Sequence, residues 1–282
     1  MEDASLTRLV NWISLVAVAL LVLVAGALLI RLWVRRARLR ERVPVRRVPH
    51  LRHPIVLAHG VFGFDEIAVA GRRHRYFRNI AEELALPGLE FYRPRVAPRA
   101  PIAVRAGTLV KLLRALPGDR FNVIAHSMGG LDARFAIARL GLADRIASLV
   151  TIGAPHHGTP LANAPFARAT ARLLGVAALA DLAPEAVERF NQAVPDVAGI
   201  AYCSVVAASD LSETNPLLWP THLYLSAHGG RNDGIVPQDS QRWGKVLREI
   251  EADHWAQVGW SLRFDAVALY EEILRELAGL GF

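Results

Sequence analysis

The sequence predicts an α/β fold, a mostly parallel sheet with helices on both faces and one membrane-spanning helix in front of it. Three observations carry this. From Pro54 onward, short apolar runs alternate with longer stretches of helical periodicity, the pattern of strands joined by crossover helices and covered on both sides. One of these runs ends in a serine held between small residues, "FNVIAHSMGG" at 121–130. Ahead of the main domain lies an uncharged apolar segment too long for an ordinary core helix.

That first segment comes after a short tail, residues 1–8. From Leu9 to Ile30 there are 22 residues without a charge, nearly all Leu, Val, Ala or Ile. Trp12 and Trp33 are 21 residues apart, about 31 Å at the helical rise, which places an indole at each interface of a bilayer. A cleaved secretory signal is the competing reading. The acidic amino-terminal flank, the length of the run and the arginines where a cleavage site would sit all argue against it. The expected span is 9–34, followed by an Arg-rich linker, 35–52, broken by Pro44 and Pro49.

The formal net charge of +7 is unevenly spread. Residues 31–52 carry nine arginines against Glu41, whereas residues 53–282 hold 23 basic and 23 acidic side chains. The basicity is a cluster beside the membrane, suited to anionic headgroups. The main domain has no charge excess to draw it to nucleic acid, which excludes that partner class. Arginines concentrated on the carboxyl-terminal flank of the span predict an amino terminus outside and a main domain in the cytoplasm. The single cysteine, Cys203, excludes an intramolecular disulfide.

Within 53–282 the elements follow in order. "PIVLAHG" (54–60) is a buried-strand run, "YFRNIAEEL" (76–84) has helical spacing and "EFYRPRV" (90–96) reads as a strand. "AVRAGTLVKLLRAL" (103–116) is an amphipathic helix, and "FNVIA" (121–125) a strand leading into a helix from Gly129 to Leu140. "IASLVTIG" (146–153), "HLYLSA" (222–227) and "VLREIE" (246–251) read as further strands, with a last helix at 264–277. Strand signals stop between Gly158 and Pro195, where an Ala- and Leu-rich helical excursion stands.

In such a sheet reactive groups collect beyond the carboxyl ends of the strands. Ser127 sits there, with Ala125 and Gly129 two residues to either side. A sharp strand-to-helix turn crowds those positions and lifts the hydroxyl from the sheet. A helix N-cap serine would need neither small neighbour. A serine nucleophile needs a base, and the base an orienting carboxylate, in the chain order Ser, Asp, His. Asp233 in "NDGIVP" and His254 in "EADHWAQVG" satisfy this order; Asp210, Asp239 and Asp253 are the weaker candidates for the acid. His156 and His157 precede every such acid, and His228 precedes Asp233, so these are expected at the pocket rim or on loop carbonyls. The oxyanion donors would be the backbone N–H groups of Met128, after the nucleophile, and Val61, in the glycine-containing loop after the first strand.

"VLAHGVFGFD", "AHSMGG", "TIGAPHHGTPLAN", "ERFN", "NDGIVP" and the histidine loop stand here in the order seen in bacterial triacylglycerol lipases of the Pseudomonas and Burkholderia type, and the chain resembles that family over about 54–277. The resemblance implies an α/β-hydrolase fold, a triad of Ser127, Asp233 and His254, and a lid helix supplied by the excursion at about 161–184. Three departures stand out. The family is typically secreted, whereas this chain keeps its apolar segment. The family's calcium site uses an aspartate just past the catalytic histidine, where this chain has Trp255 and Ala256. Its frequent disulfide has no counterpart. No cofactor or metal is expected; calcium rests on the resemblance alone.

The expected function is a membrane-anchored serine hydrolase of lipid-like carboxylic esters, acting through an acyl-enzyme. A thioesterase or acyltransferase would use the same residues, and a non-catalytic hydrolase-fold partner is a reading of a different class.

Overall fold

The computed structural model describes residues 48–61, 66–69, 72–85 and 87–282. The expected span at 9–34 lies outside the described residues, as does the linker as far as residue 47. No helix among the described residues is long and apolar enough to cross a membrane.

The strands are β1 (Ile55–Ala58), β2 (Glu66–Val69), β3 (Arg72–Arg75), β4 (Phe91–Tyr92), β5 (Phe121–His126), β6 (Ile146–Ile152), β7 (Ala201–Ala208) and β8 (Lys245–Glu251). The α-helices are α1 (Ile80–Leu84), α2 (Ile102–Ala115), α3 (Gly129–Arg139), α4 (Pro165–Leu174), α5 (Ala178–Asp181), α6 (Pro184–Ala193), α7 (Trp219–His228) and α8 (Ala266–Gly279). Six strands form one sheet in the order β4-β1-β5-β6-β7-β8, and every pairing in it is parallel. β2 and β3 form a separate antiparallel pair.

Alternation along the strands explains the two covered faces. Ile55 and Leu57 of β1, Ile124 of β5 and Val150 of β6 pack with Ile80, Leu84, Leu269, Tyr270 and Ile273 of α1 and α8. Their neighbours Val56, Ala58, Val123 and Leu149 face the other way, onto Leu109 and Leu113 of α2 and Ala136 and Ile137 of α3. β8 closes one edge, and its exposed charged residues protect that edge from further pairing. The register aligns Ala58 with Ala125 and His126 with Ile152. The carboxyl ends of β1, β5 and β6 therefore meet at one rim.

Four expectations are corrected. Residues 222–227, expected as a strand, belong to helix α7. Pro220 stands at its start, where the fixed φ of proline suits a first turn, and His222 and Leu225 are buried three residues apart on one face. Strand β7 was not expected, because "AYCSVVAA" is mostly small residues with little strand propensity; burial between β6 and β8 overrides that. The strand expected over 90–96 is only β4, since Pro94 removes a ladder donor. The helix expected from 76 starts at Ile80, because Asn79 adopts φ 62°, a left-handed conformation that breaks the helical path and that Asn tolerates.

Candidate active site

β5 delivers Ser127 at φ 57°, one of two non-glycine residues in the left-handed region among those described. Its amide donates to Ile152 O at 2.9 Å, and its carbonyl accepts from Gly130 N at 3.0 Å, so the ends of β6 and α3 hold the strained turn. The neighbouring glycines are required by space. A Cβ on Gly129 would lie 2.7 Å from Ala58 O, and one on Gly130 2.9 Å from Ala154 Cβ. On Gly60 it would lie 2.7 Å from Ser127 Cβ. Ala125 is fully buried and its methyl joins the helix-facing core beside Val123, which is why alanine suffices there.

Asp233 and His254 meet across the loops flanking β8. His254 Nδ1 lies 2.8 Å from Asp233 Oδ2, and His254 N donates to Asp233 O at 2.8 Å. The carboxylate is fully buried and saturated with donors. Oδ1 accepts from Ile235 N at 3.0 Å and Val236 N at 2.7 Å; Oδ2 also accepts from Gln257 Nε2 at 2.8 Å and Gln241 Nε2 at 3.4 Å. With Nδ1–H committed to Asp233, the imidazole keeps a lone pair on Nε2.

Ser127 and His254 line one cavity of about 740 Å³. Val61, from the loop after β1, lines it too, while Met128 is buried against Ile102 and Leu131. The loop before Val61 is braced from beneath. Arg105 Nη2 donates to His59 O at 2.7 Å and Nη1 to Ala97 O at 3.1 Å, and Nε pairs with Asp132 Oδ2 at 2.8 Å. Both members of that ion pair are buried. Most of the remaining cavity wall is apolar, with Leu161, Ala171, Leu174, Val176 and Leu182 from the excursion and Trp255 and Trp260 past the histidine, interrupted by Tyr76, Thr159, Thr170 and Thr221. A mostly apolar hollow of this size with a few convergent polar groups has the form of a small-molecule or acyl-chain site.

The weaker candidates for the acid lie elsewhere. Asp210 is exposed, Asp239 is exposed beside Arg242, and Asp253 accepts from the amides of Trp255, Ala256 and Asn215. His156 is buried against Thr151 and Arg134, where burial and the neighbouring guanidinium hold it well below the usual imidazole range. His228 Nδ1 sits 2.7 Å from Tyr224 O, on a carbonyl as expected, and His157 is exposed. A calcium ion placed as in the family does not fit these residues. Past His254 there is an alanine where the carboxylate should be, and both oxygens of Asp253 are taken by backbone amides. Among the described residues no group of three or more His, Cys, Asp or Glu side chains is placed to hold a metal.

Three residues of the site went unpredicted. His126 lies 4.5 Å from His254 between ring centroids, Tyr76 Oη lies 2.7 Å from His126 Nδ1, and Gln257 bonds Asp233. His126 adjoins the nucleophile in sequence and Gln257 follows the histidine by three, a proximity signal. Tyr76 had none.

The chain resembles known proteins. A family model described as the alpha/beta hydrolase fold matches residues 103–194. A triacylglycerol lipase of Pseudomonas fragi is 28% identical, the match covering 82% of this chain and 97% of that protein. One from Vibrio cholerae is 26% identical over 82% of this chain and 89% of its own length. Among solved structures, a metagenomic carboxyl esterase superposes with a TM-score of 0.72 at 22% identity, covering 85% of this chain and 79% of its own. A mature Bacillus licheniformis lipase gives 0.65 at 21% identity, covering 82% and 95%. The chain is a serine ester hydrolase with the α/β-hydrolase fold. Within that class it is similar to the bacterial triacylglycerol lipases over most of its length.

Proposed function

We propose that the protein is a membrane-anchored hydrolase of lipid-like carboxylic esters. The observation that carries the chemistry is Ser127, strained at the end of β5, opening into the same apolar cavity as an imidazole whose other nitrogen is fixed by a buried carboxylate. His254 Nε2 takes the proton of Ser127 as Oγ attacks the ester carbonyl. The N–H groups of Val61 and Met128 hold the oxyanion. The tetrahedral adduct collapses as His254 returns the proton to the leaving alcohol, giving an acyl-serine. Water, deprotonated by His254, attacks the acyl-serine; collapse releases the carboxylic acid and restores the Ser127 hydroxyl. Asp233 holds the tautomer and stabilises the imidazolium.

The apolar lining and the likeness to named triacylglycerol lipases support a long acyl chain as the group held. The excursion at 161–184 acts as the lid over it. Turnover by the full chain in detergent micelles should rise with acyl length along a series of p-nitrophenyl esters, and a fluorophosphonate should label Ser127. A folded protein that takes no label is not a serine hydrolase. The uncharged run at 9–30 and its arginine flank support an anchor with the catalytic domain on the cytoplasmic leaflet. Alkaline phosphatase fused after residue 52 should be inactive; strong activity would place the domain outside without touching the chemistry.

A further inference from the structure

Beside the catalytic groups runs a line of polar side chains, from the part-exposed Tyr76 in the cavity wall through buried His126 and Gln257 to Asp233, of which the mechanism above uses only the last. Gly60 N lies 3.3 Å from Tyr76 Oη, Tyr76 Oη 2.7 Å from His126 Nδ1, His126 Nε2 3.1 Å from Gln257 Oε1, and Gln257 Nε2 2.8 Å from Asp233 Oδ2. His126, Gln257 and Asp233 are buried, so each polar atom must find its partner within the protein.

The donors and acceptors can be assigned in one sense only. An ionised Asp233 accepts and never donates, so Gln257 must present its NH₂ to it. That turns Gln257 Oε1 toward His126 Nε2, which must then carry the hydrogen. Burial and the neighbouring His254 hold His126 well below the usual imidazole range, so it is neutral with one N–H. Its Nδ1 is therefore an acceptor, filled by the Tyr76 hydroxyl, whose oxygen in turn accepts from Gly60 N–H. The hydrogen bonds thus run one way, from the loop before Val61 to the acid.

The backbone is shaped to admit this line. Gly153, at φ 57°, directly follows β6, where a Cβ would lie 2.2 Å from Gln257 Oε1 and 3.1 Å from Asp233 Oδ2. Only glycine leaves room for the amide between His126 and the acid. Asp233 Oδ2 is also the oxygen that meets His254 Nδ1, so the chain ends on the atom that orients the base. Its first link belongs to the loop that supplies Val61.

We propose that Tyr76, His126 and Gln257 are positioning residues: a one-way hydrogen-bond chain that fixes Asp233 and couples it to the oxyanion loop. The proposal rests on the hydrolase reading of Ser127. Gln257 and His254 share one carboxylate oxygen. Removing the Gln257 donor leaves more of that oxygen's charge to the imidazolium and stabilises it.

The test is a double-mutant cycle on the full chain, using a short soluble p-nitrophenyl ester. Gln257→Leu should lower kcat by about 10- to 100-fold, the loss of a hydrogen bond to a charged group, with KM little changed. The acid limb of its kcat/KM profile should move up by about half a pH unit or more. Tyr76→Phe should lower kcat by about two- to tenfold. Because both act through one chain, the double variant should lose little more than Gln257→Leu alone. Independent packing roles would give the product of the two losses and leave the limb in place, and that result overturns the proposal. Wild-type kcat in a folded Gln257→Leu does the same. Should Gln257→Leu fail to fold, Tyr76→Phe decides alone: an unchanged kcat sinks the chain, and a fall in kcat with an upward-moved limb supports it. If the wild type neither turns over ester nor takes a fluorophosphonate, the hydrolase reading fails first; if it does both and the variants match it, only the chain fails.

Discussion

The turn around Ser127 and the excursion at 161–184 wall the same cavity and are built on opposite principles. In the turn, every position is fixed by close backbone approach: methyl groups on Gly60, Gly129 or Gly130 would each fall within 3.0 Å of a neighbouring heavy atom. In the excursion, α4 has no buried residue at all, and Leu173, Phe166 and Leu174 are 85%, 46% and 43% exposed. The serine turn is packed without slack, whereas the helix Pro165–Leu174 contributes no buried side chain. That division suits an enzyme that must hold reacting atoms within a fraction of an ångström yet admit a bulky apolar ligand.

The largest expected effect is at the rigid end. Ser127→Ala should remove fluorophosphonate labelling and lower kcat by roughly 10⁴- to 10⁶-fold, with the melting temperature close to wild type. Ordinary turnover in the folded variant would refute the assignment of the nucleophile.

Asp233→Asn comes next. An amide at this position donates as well as accepts, and it lets His254 carry its hydrogen on the wrong nitrogen. We expect kcat to fall by roughly 10²- to 10⁴-fold with KM little changed. If Asp253→Asn does the greater damage instead, the acid is misassigned.

The rigid region was also the legible one. Ala125, Ser127 and Gly129 fall within five consecutive residues, and a strained strand-to-helix turn has few chemical solutions, so local pattern revealed it. Asp233, which the structure places against His254, could be singled out although the element before it was misread, because chain order and the turn chemistry of "NDG" do not depend on whether 222–227 is strand or helix. β7 could not be seen, since small residues become a strand only when β6 and β8 enclose them. Tyr76 shows the same limit: a hydroxyl 50 residues from His126 in sequence carries no local mark of its partner.

Gly60→Ala sharpens the contrast without replacing a catalytic side chain. Its methyl would press on Ser127 Cβ from the 2.7 Å position, and a displacement of that size at a nucleophile is worth about 10²-fold in rate. Measured kcat within twofold of wild type would show that the turn yields, and that rigidity is not its organising feature.

Acid should loosen the core before it affects the excursion. Burial holds His126 and His156 well below the ordinary imidazole value of about 6.5, so their unfolded counterparts take up protons that the folded state refuses. Their contribution to stability is complete above pH 6.5 and is lost as pH falls through the lowered values, with a slope of roughly 1.4 kcal/mol per pH unit for each group. Thermal melts from about pH 8 down to about pH 5 should show a falling melting temperature, and His156→Gln should flatten the decline. A melting temperature that rises toward acid would contradict the burial argument.

The smallest effect is expected at the loose end, and its signature is selectivity. Leu173 is 85% exposed, so Leu173→Glu should change stability by no more than about 0.5 kcal/mol. In water the side chain does little. If the excursion meets lipid when it opens, a carboxylate on its apolar surface opposes that contact, while entry of a small dissolved ester is unaffected. Turnover on emulsified long-chain ester should drop by about three- to tenfold, with hydrolysis of a short soluble ester unchanged. Wild-type rates on both substrates, or equal losses on both, would make α4 an ordinary wall of the cavity. The division between a fixed chemical end and a yielding entrance would then have to be redrawn.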